Sequence, residues 1–86
     1  MINMMQTKMP NVKIYTTPVC AYCKMAKEHF KKNNVAYEEY DVMANAEKRQ
    51  ELVDRTHQYG VPVIDIDGKL IIGFDKMKIN QALGIN

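Results

Sequence analysis

The chain has 86 residues, 47% of them hydrophobic and 26% charged, with a formal net charge of +2. That length holds one small domain, which buries only about 60% of its unfolded surface and so has a thin core. Twelve basic residues against ten acidic ones provide no electrostatic pull toward phosphate polymers, which argues against a nucleic-acid binder. The only cysteines are Cys20 and Cys23. A disulfide across so short a loop gains little chain entropy, which excludes a disulfide-scaffolded mini-protein. Residues 1–11 contain several methionines but no continuous apolar run, and read as a polar extension ahead of the folded unit, residues 12–86. No stretch supplies the roughly 7–15 apolar residues of a signal peptide or the roughly 20 of a membrane span. The expectation is therefore no membrane and a cytoplasmic, reducing location, where a Cys-x-x-Cys pair points to redox or metal chemistry.

Val12-Lys13-Ile14-Tyr15-Thr16 alternates apolar and polar residues and predicts a strand. Thr17-Pro18-Val19 ends it, because proline cannot continue a central ladder. From Cys20 to Lys32 the pattern is helical, with Cys23, Ala26 and Phe30 on one face and Lys24, Lys27, Glu28, Lys31 and Lys32 outward. Asn33-Asn34 closes that helix. A second strand is predicted over Val35–Val42, with Ala36, Tyr40 and Val42 inward. A second helix follows over Ala44–Gln58, with Asn45 as a candidate cap and Ala46, Leu52, Val53 and Thr56 on its inner stripe. Tyr59–Pro62 is a turn. Val63–Ile66 and Lys69–Ile72 flank Asp67-Gly68, which suits the primed two-residue hairpin turn. Asp75 caps a last helix over Lys76–Leu83, which Gly84 stops. The order β-α-β-α-β-β-α implies a sheet with a parallel pair, a hairpin and helices on both faces.

Cys20 falls at the start of the first helix, where unpaired N–H groups and the positive end of the dipole stabilise a thiolate. Cys23 lies one helical turn further on and can reach the Cys20 sulfur, and Lys24 adds a nearby positive charge. An attacking thiolate beside a resolving thiol is what thiol–disulfide exchange needs. Two other readings of the pair stand beside this one. Zinc would need four ligands, and only His29 and His57 are available to complete a half-site. The cysteines would otherwise be inert core thiols. His29 and His57 themselves read as solvated surface residues.

Ile14-Tyr15-Thr16, Cys20-Ala21-Tyr22-Cys23, Gly60-Val61-Pro62 and Gly73-Phe74-Asp75 resemble, in order and spacing, the motifs of a glutaredoxin within the thioredoxin superfamily. The resemblance runs from Val12 to about Leu83. It implies a thioredoxin-like α/β fold, a four-stranded mixed sheet with three helices. It also implies a dithiol thiol–disulfide oxidoreductase in which Cys20 attacks a disulfide and Cys23 resolves the mixed disulfide. Pro62 is then the family's cis-proline, leaving the Val61 N–H and C=O to pair with an extended substrate as an added strand does. An ordinary trans turn is the alternative there. Gly73, Phe74 and Asp75 correspond to the place where the family holds the γ-glutamyl end of glutathione, with Asp75 receiving the ammonium. Arg49 corresponds to the residue facing the glycine carboxylate, and Tyr22 joins the same substrate-binding set. Asp75 as a cap only, and Arg49 as a solvated helix charge, are the alternatives. No metal or permanently bound cofactor is implied, and glutathione is the expected co-substrate of a monomer acting on disulfide-containing proteins.

Four positions depart from the family pattern. Ala21 stands where many members have proline, Thr17 where a lysine or arginine is usual, Gly60 where a threonine is usual, and Lys76 where a second acid is usual. These departures leave two further readings beside the glutathione-dependent one. The first is a redoxin recharged by a thioredoxin-reductase-like flavoprotein and feeding ribonucleotide reductase or a peroxidase. The second is a module in which a glutathione-ligated [2Fe–2S] cluster bridges two protomers through Cys20.

Overall fold

The computed structural model describes residues 9–85, so the expectation for residues 1–8 lies outside the described residues. The elements are β1 (Val12–Thr16), α1 (Ala21–Lys32), β2 (Glu38–Asp41), α2 (Ala46–Thr56), β3 (Val63–Ile66), β4 (Lys69–Ile72) and α3 (Lys76–Leu83). The strands form one mixed sheet in the order β2-β1-β3-β4. β1 is parallel to β2 and antiparallel to β3, and β3 is antiparallel to β4. A parallel pair needs a crossover connection, and α1 supplies it.

Strand alternation sorts the core into two layers. Val12 and Ile14 join Ile64, Ile66 and Ile71 against Ala26 and Phe30 of α1 and Ile79 of α3. Tyr15 points the opposite way and packs with Val42, Val63 and Leu52 of α2. Thus α1 and α3 cover one face of the sheet and α2 the other. One polar tie crosses the second layer. Arg55 of α2 donates from Nη1 to the Tyr15 hydroxyl of β1 at 3.0 Å and to Asp65 Oδ2 of β3 at 2.9 Å. The β3–β4 hairpin turns on Asp67 (φ 51°) and Gly68 (φ 91°), both in the left-handed region that a primed turn requires. Asp67 also exchanges hydrogen bonds with Asn11, its N–H donating to Asn11 O and its Oδ1 accepting the Asn11 N–H, each at 2.9 Å.

Several sequence expectations are corrected. β2 begins at Glu38 rather than Val35, because the Val35 N–H closes α1 by donating to Phe30 O at 2.8 Å. Ala36 is consequently exposed, and Tyr37 instead packs its ring against Phe30, with centroids 5.4 Å apart. α2 begins at Ala46, since Asn45 caps it by accepting the Lys48 N–H at 3.0 Å, and ends before His57, which takes a left-handed conformation. Ala46 sits in the exposed first turn, outside the inner stripe. His29 is buried, not solvated: its Nε2 lies 2.7 Å from Asn80 Oδ1, joining α1 to α3.

Candidate active site

Cys20 caps α1 with its own sulfur. Its backbone is extended (φ −96°, ψ 112°) and its Sγ accepts the Cys23 N–H at 3.1 Å. Serine, threonine, asparagine or aspartate normally supplies an oxygen at this position to satisfy an orphan helix donor. A thiolate does the same with a full negative charge facing the positive end of the helix dipole. The Cys20 N–H donates to Thr17 O at 3.4 Å and its C=O accepts the Lys24 N–H at 3.2 Å, so the main chain fixes the sulfur's position.

The two thiols occupy unlike environments. Cys20 is half-buried, whereas Cys23 is fully buried beneath it. Burial, followed by the hydrogen bond with Cys20, pushes the Cys23 thiol up to about 12. Cys23 therefore keeps its proton at neutral pH while Cys20 offers its sulfur at the surface.

The Val61–Pro62 bond is cis. Val61 O lies 3.8 Å from Cys20 Sγ, where the thiol hydrogen is donated to it. Pro62 O accepts the Gly73 N–H at 2.8 Å. That bond joins the loop ahead of β3 to the Gly73-Phe74-Asp75 segment, and Gly73 itself has a φ of 88° that disfavours any side chain. The Phe74 ring stands edge-on to buried His29, centroids 6.0 Å apart. Asp75 caps α3, accepting the Lys78 N–H at 3.1 Å.

Tyr22 projects from the first turn of α1 and is largely exposed. Arg49 lies across the second layer, where its Nη1 donates to Val42 O at 2.7 Å and Met43 O at 3.4 Å. With Thr17, Val42, Met43, Leu52 and Tyr59 it lines a cleft of ≈ 240 Å³. Phe74 lines a different cavity of ≈ 230 Å³, with Met25, Glu28, His29, Lys32 and Lys76. The structure thus gathers Cys20, Cys23, Val61 and Pro62 at one point, ties Gly73 to it through Pro62, and sets Arg49 and Phe74 in separate hollows. A larger cavity of ≈ 360 Å³, between Met9, Pro10 and the end of α3, contains neither cysteine.

Three residues that matter here carry no local signal in the sequence. His29 supports Phe74 but takes its partner from Asn80, far along the chain. Tyr59 forms a wall of the Arg49 cleft. Gln58 brackets Gly60: its Oε1 accepts the Gly60 N–H at 2.6 Å and its Nε2 donates to Gly60 O at 3.2 Å. A Cβ at position 60 would stand 2.5 Å from that Oε1, so a side chain there would displace the Gln58 amide. Among the described residues, no group of three or more His, Cys, Asp or Glu side chains is placed to hold a metal ion. No described helix is long and apolar enough to cross a membrane.

Comparison with known proteins gives this geometry a family. An uncharacterized glutaredoxin-like 8.6 kDa protein in the rubredoxin operon of Clostridium pasteurianum is 40% identical over 72 residues, covering 84% of this chain and 96% of its own. Glutaredoxin 3 of Escherichia coli K12 is 38% identical over 76 residues, covering 88% of this chain and 92% of its own. The crystal structure of the thioredoxin-like protein BC3987 superposes with a TM-score of 0.80 at 41% identity, covering 85% of this chain and 100% of that one. A glutaredoxin from Archaeoglobus fulgidus shares the fold at 21% identity, with a TM-score of 0.76 over 95% of both chains. Because the Glutaredoxin family model also matches residues 12–71, this thioredoxin-like chain, with its cysteine pair just after the N-terminal strand, belongs to the glutaredoxin family.

Proposed function

We propose that the chain is a dithiol thiol–disulfide oxidoreductase that reduces protein or glutathione mixed disulfides, with Cys20 as nucleophile and Cys23 as resolving thiol. The observation that carries this is the asymmetry of the pair: a half-exposed sulfur at a helix N-terminus above a buried thiol held protonated up to about 12. The Cys20 thiolate attacks one sulfur of the substrate disulfide, and the other sulfur leaves as a thiolate. Cys20 then carries the mixed disulfide and is neutral. The hydrogen bond and the charge of Cys20, two of the influences that hold Cys23 up, are thereby removed. Cys23 gives up its proton only at this stage, attacks Cys20 Sγ, and releases the second substrate thiolate, which takes the proton. The substrate has gained two electrons and the chain is left with a Cys20–Cys23 disulfide. Two molecules of glutathione, becoming glutathione disulfide, return the pair to the dithiol.

Val61 offers its main chain beside the sulfur for a substrate strand to pair with. Gly73, Phe74, Asp75, Tyr22 and Arg49 are the remaining substrate contacts of this reading. It places the protein in the cytoplasm as a monomer. The test is glutathione-coupled reduction of a small mixed disulfide by the wild type and by Cys20→Ser. Loss of turnover is expected, and full activity in the variant overturns the assignment.

Two observations favour a second electron donor. Thr17 adds no second cation to the Arg49 cleft for a glutathione carboxylate, and Lys76, exposed beyond Asp75, repels an ammonium. A flavoprotein of the thioredoxin-reductase type is then the donor that recharges the pair. Comparing the rates at which glutathione and such a reductase reduce the Cys20–Cys23 disulfide distinguishes the two.

A further inference from the structure

α1 carries four lysines, and three of them, Lys24, Lys31 and Lys32, stand exposed. Lys27 is held differently. Its side chain is 24% exposed, and its Nζ donates to Glu39 Oε2 on β2 at 2.7 Å. The same oxygen accepts the hydroxyl of buried Thr16 on β1 at 2.9 Å, so one carboxylate ties α1 to two strands. Lys27 also follows Cys23 by four residues, which places it one helical turn further along the same side of α1. Cys23 is 0% exposed, and a charge near so buried a thiol acts through less water and is felt more strongly. Burial and Cys20 raise the Cys23 thiol, while the Thr17 main chain and the Lys27 ammonium pull it down.

We infer that Lys27 is a positioning residue for the second step of the exchange: its ammonium stabilises the Cys23 thiolate that resolves the mixed disulfide, and Glu39 restrains it by part-neutralising that charge. The inference rests on the oxidoreductase reading above and assigns residues to its second half. Once Cys20 is bonded to a substrate sulfur, its own charge no longer opposes ionisation of Cys23, and the Lys27 charge still favours it. The other titratable groups around these residues are Tyr37, just ahead of β2, and Lys31 on α1. Deleting the Lys27 charge leaves Cys23 harder to ionise. Deleting the Glu39 charge leaves the ammonium unneutralised and Cys23 easier to ionise. Both deletions break the same salt bridge, so a purely structural pair would respond alike to either. A part-neutralised charge at this range is worth about one pH unit in the ionisation of the thiol. That changes the thiolate fraction about ten-fold, of which about three-fold is offset because a more basic thiolate is more nucleophilic. The net effect on the resolving rate is about three-fold.

The test mixes the reduced full chain with one equivalent of a symmetric nitrobenzoate disulfide, whose free thiolate absorbs visible light. Cys20 attacks one sulfur and expels the first thiolate. Cys23 then passes its proton to buffer, attacks Cys20 Sγ and expels the second, so the two phases of colour read the two steps. At neutral pH, Lys27→Met is expected to slow the second phase about three-fold and Glu39→Gln to speed it by about as much, with the first phase unchanged in both. The curve of second-phase rate against pH is expected to move to higher pH in Lys27→Met and to lower pH in Glu39→Gln. Lys27→Arg, which keeps the charge, is expected to retain the wild-type rate. A second phase that moves the same way in Lys27→Met and Glu39→Gln, or in neither, overturns the inference, as does a Lys27→Arg variant as slow as Lys27→Met. Release of only one thiolate from each reagent molecule by the wild type, or an undiminished first phase in Cys20→Ser, overturns the oxidoreductase reading instead.

Discussion

Removing the Arg55 guanidinium is expected to cost this small domain a large share of its stability while leaving the sulfur site intact when folded. The guanidinium joins α2 to both central strands, through Tyr15 on β1 and Asp65 on β3. Asp65 has a side-chain exposure of only 8%, against 29% for Arg55. In Arg55→Met the Asp65 carboxylate retains the Gly68 N–H at 2.7 Å but loses its only opposite charge among the described ion pairs. Breaking a fully buried pair by deleting one partner costs about 3–5 kcal/mol. Solvent reaches the arginine end here, which reduces the expected loss to about 2–3 kcal/mol. A chain of this length has roughly 4–13 kcal/mol in total, so Tm should fall by about 10–20 °C. Urea unfolding of Arg55→Met, Asp65→Asn and the double variant measures it. The double variant should lose at least about 1 kcal/mol less than the two single losses added, because no charge is then left unpaired. Strict additivity, or a loss below about 0.5 kcal/mol in Arg55→Met, refutes the argument. The alkylation rate of Cys20 in the folded variant should match the wild type.

Thr17→Lys places a cation on the rim of the Arg49 cleft. An exposed ion pair with a carboxylate contributes about 0.2–1 kcal/mol, so KM for a glutathione mixed disulfide should fall by about 1.4–5-fold with kcat unchanged, and the gain should fade at high salt. A change confined to kcat contradicts this. Cys23→Ser should stop the cycle after the first attack, so that intact-mass analysis of a reaction with excess protein disulfide shows one substrate linked to each chain. Release of reduced substrate by that variant without glutathione contradicts the resolving role. The Lys27 ammonium, 2.7 Å from Glu39 Oε2, holds the Glu39 carboxyl below its ordinary range, helped by the Thr16 hydroxyl. A depressed folded value means that the stabilisation is present above the unfolded pKa of about 4.3 and is lost as pH falls through the folded one. The urea midpoint of the wild type should exceed that of Glu39→Gln by a constant margin from neutrality down to about pH 5, and the margin should close below about pH 4. A margin that survives strong acid refutes the pair's role.

The parts of this fold legible in the sequence are those governed by neighbouring residues. Asp67-Gly68 specifies its own turn, and Asn45 and Asp75 cap the helices that follow them by reaching only three residues ahead. The alternation of Val12 to Thr16 sorts its side chains to two faces with no outside help. Where the sequence misleads, a distant group decides. His29 has the surroundings of a surface residue in a lysine-rich helix, yet Asn80 of α3 and Phe74 just ahead of that helix, both distant in sequence, are brought against it and make its burial tolerable. Val35 has strand character, yet its N–H is drawn back to Phe30 O by the end of α1. The Arg49 cleft is assembled from four separated segments, so its apolar character exists only once they meet.

The departures from the family pattern fall on side chains, whereas the sulfur geometry is built from main chain. At position 17 it is the carbonyl that receives the Cys20 N–H, and any residue provides one. At position 60 it is the N–H and C=O that Gln58 brackets. Cys20 is held by its own φ and ψ, by the Cys23 N–H and beside Val61 O, none of which depends on the side chain of residue 17, 21 or 60. Substitution at those positions therefore leaves the Cys20 sulfur where it was and changes only what stands around it. On the proposed function, threonine rather than lysine at the rim of the Arg49 cleft weakens its hold on a carboxylate. On the proposed function, thiol–disulfide exchange and the choice of disulfide are thus carried by separable sets of atoms, and the second can change without cost to the first.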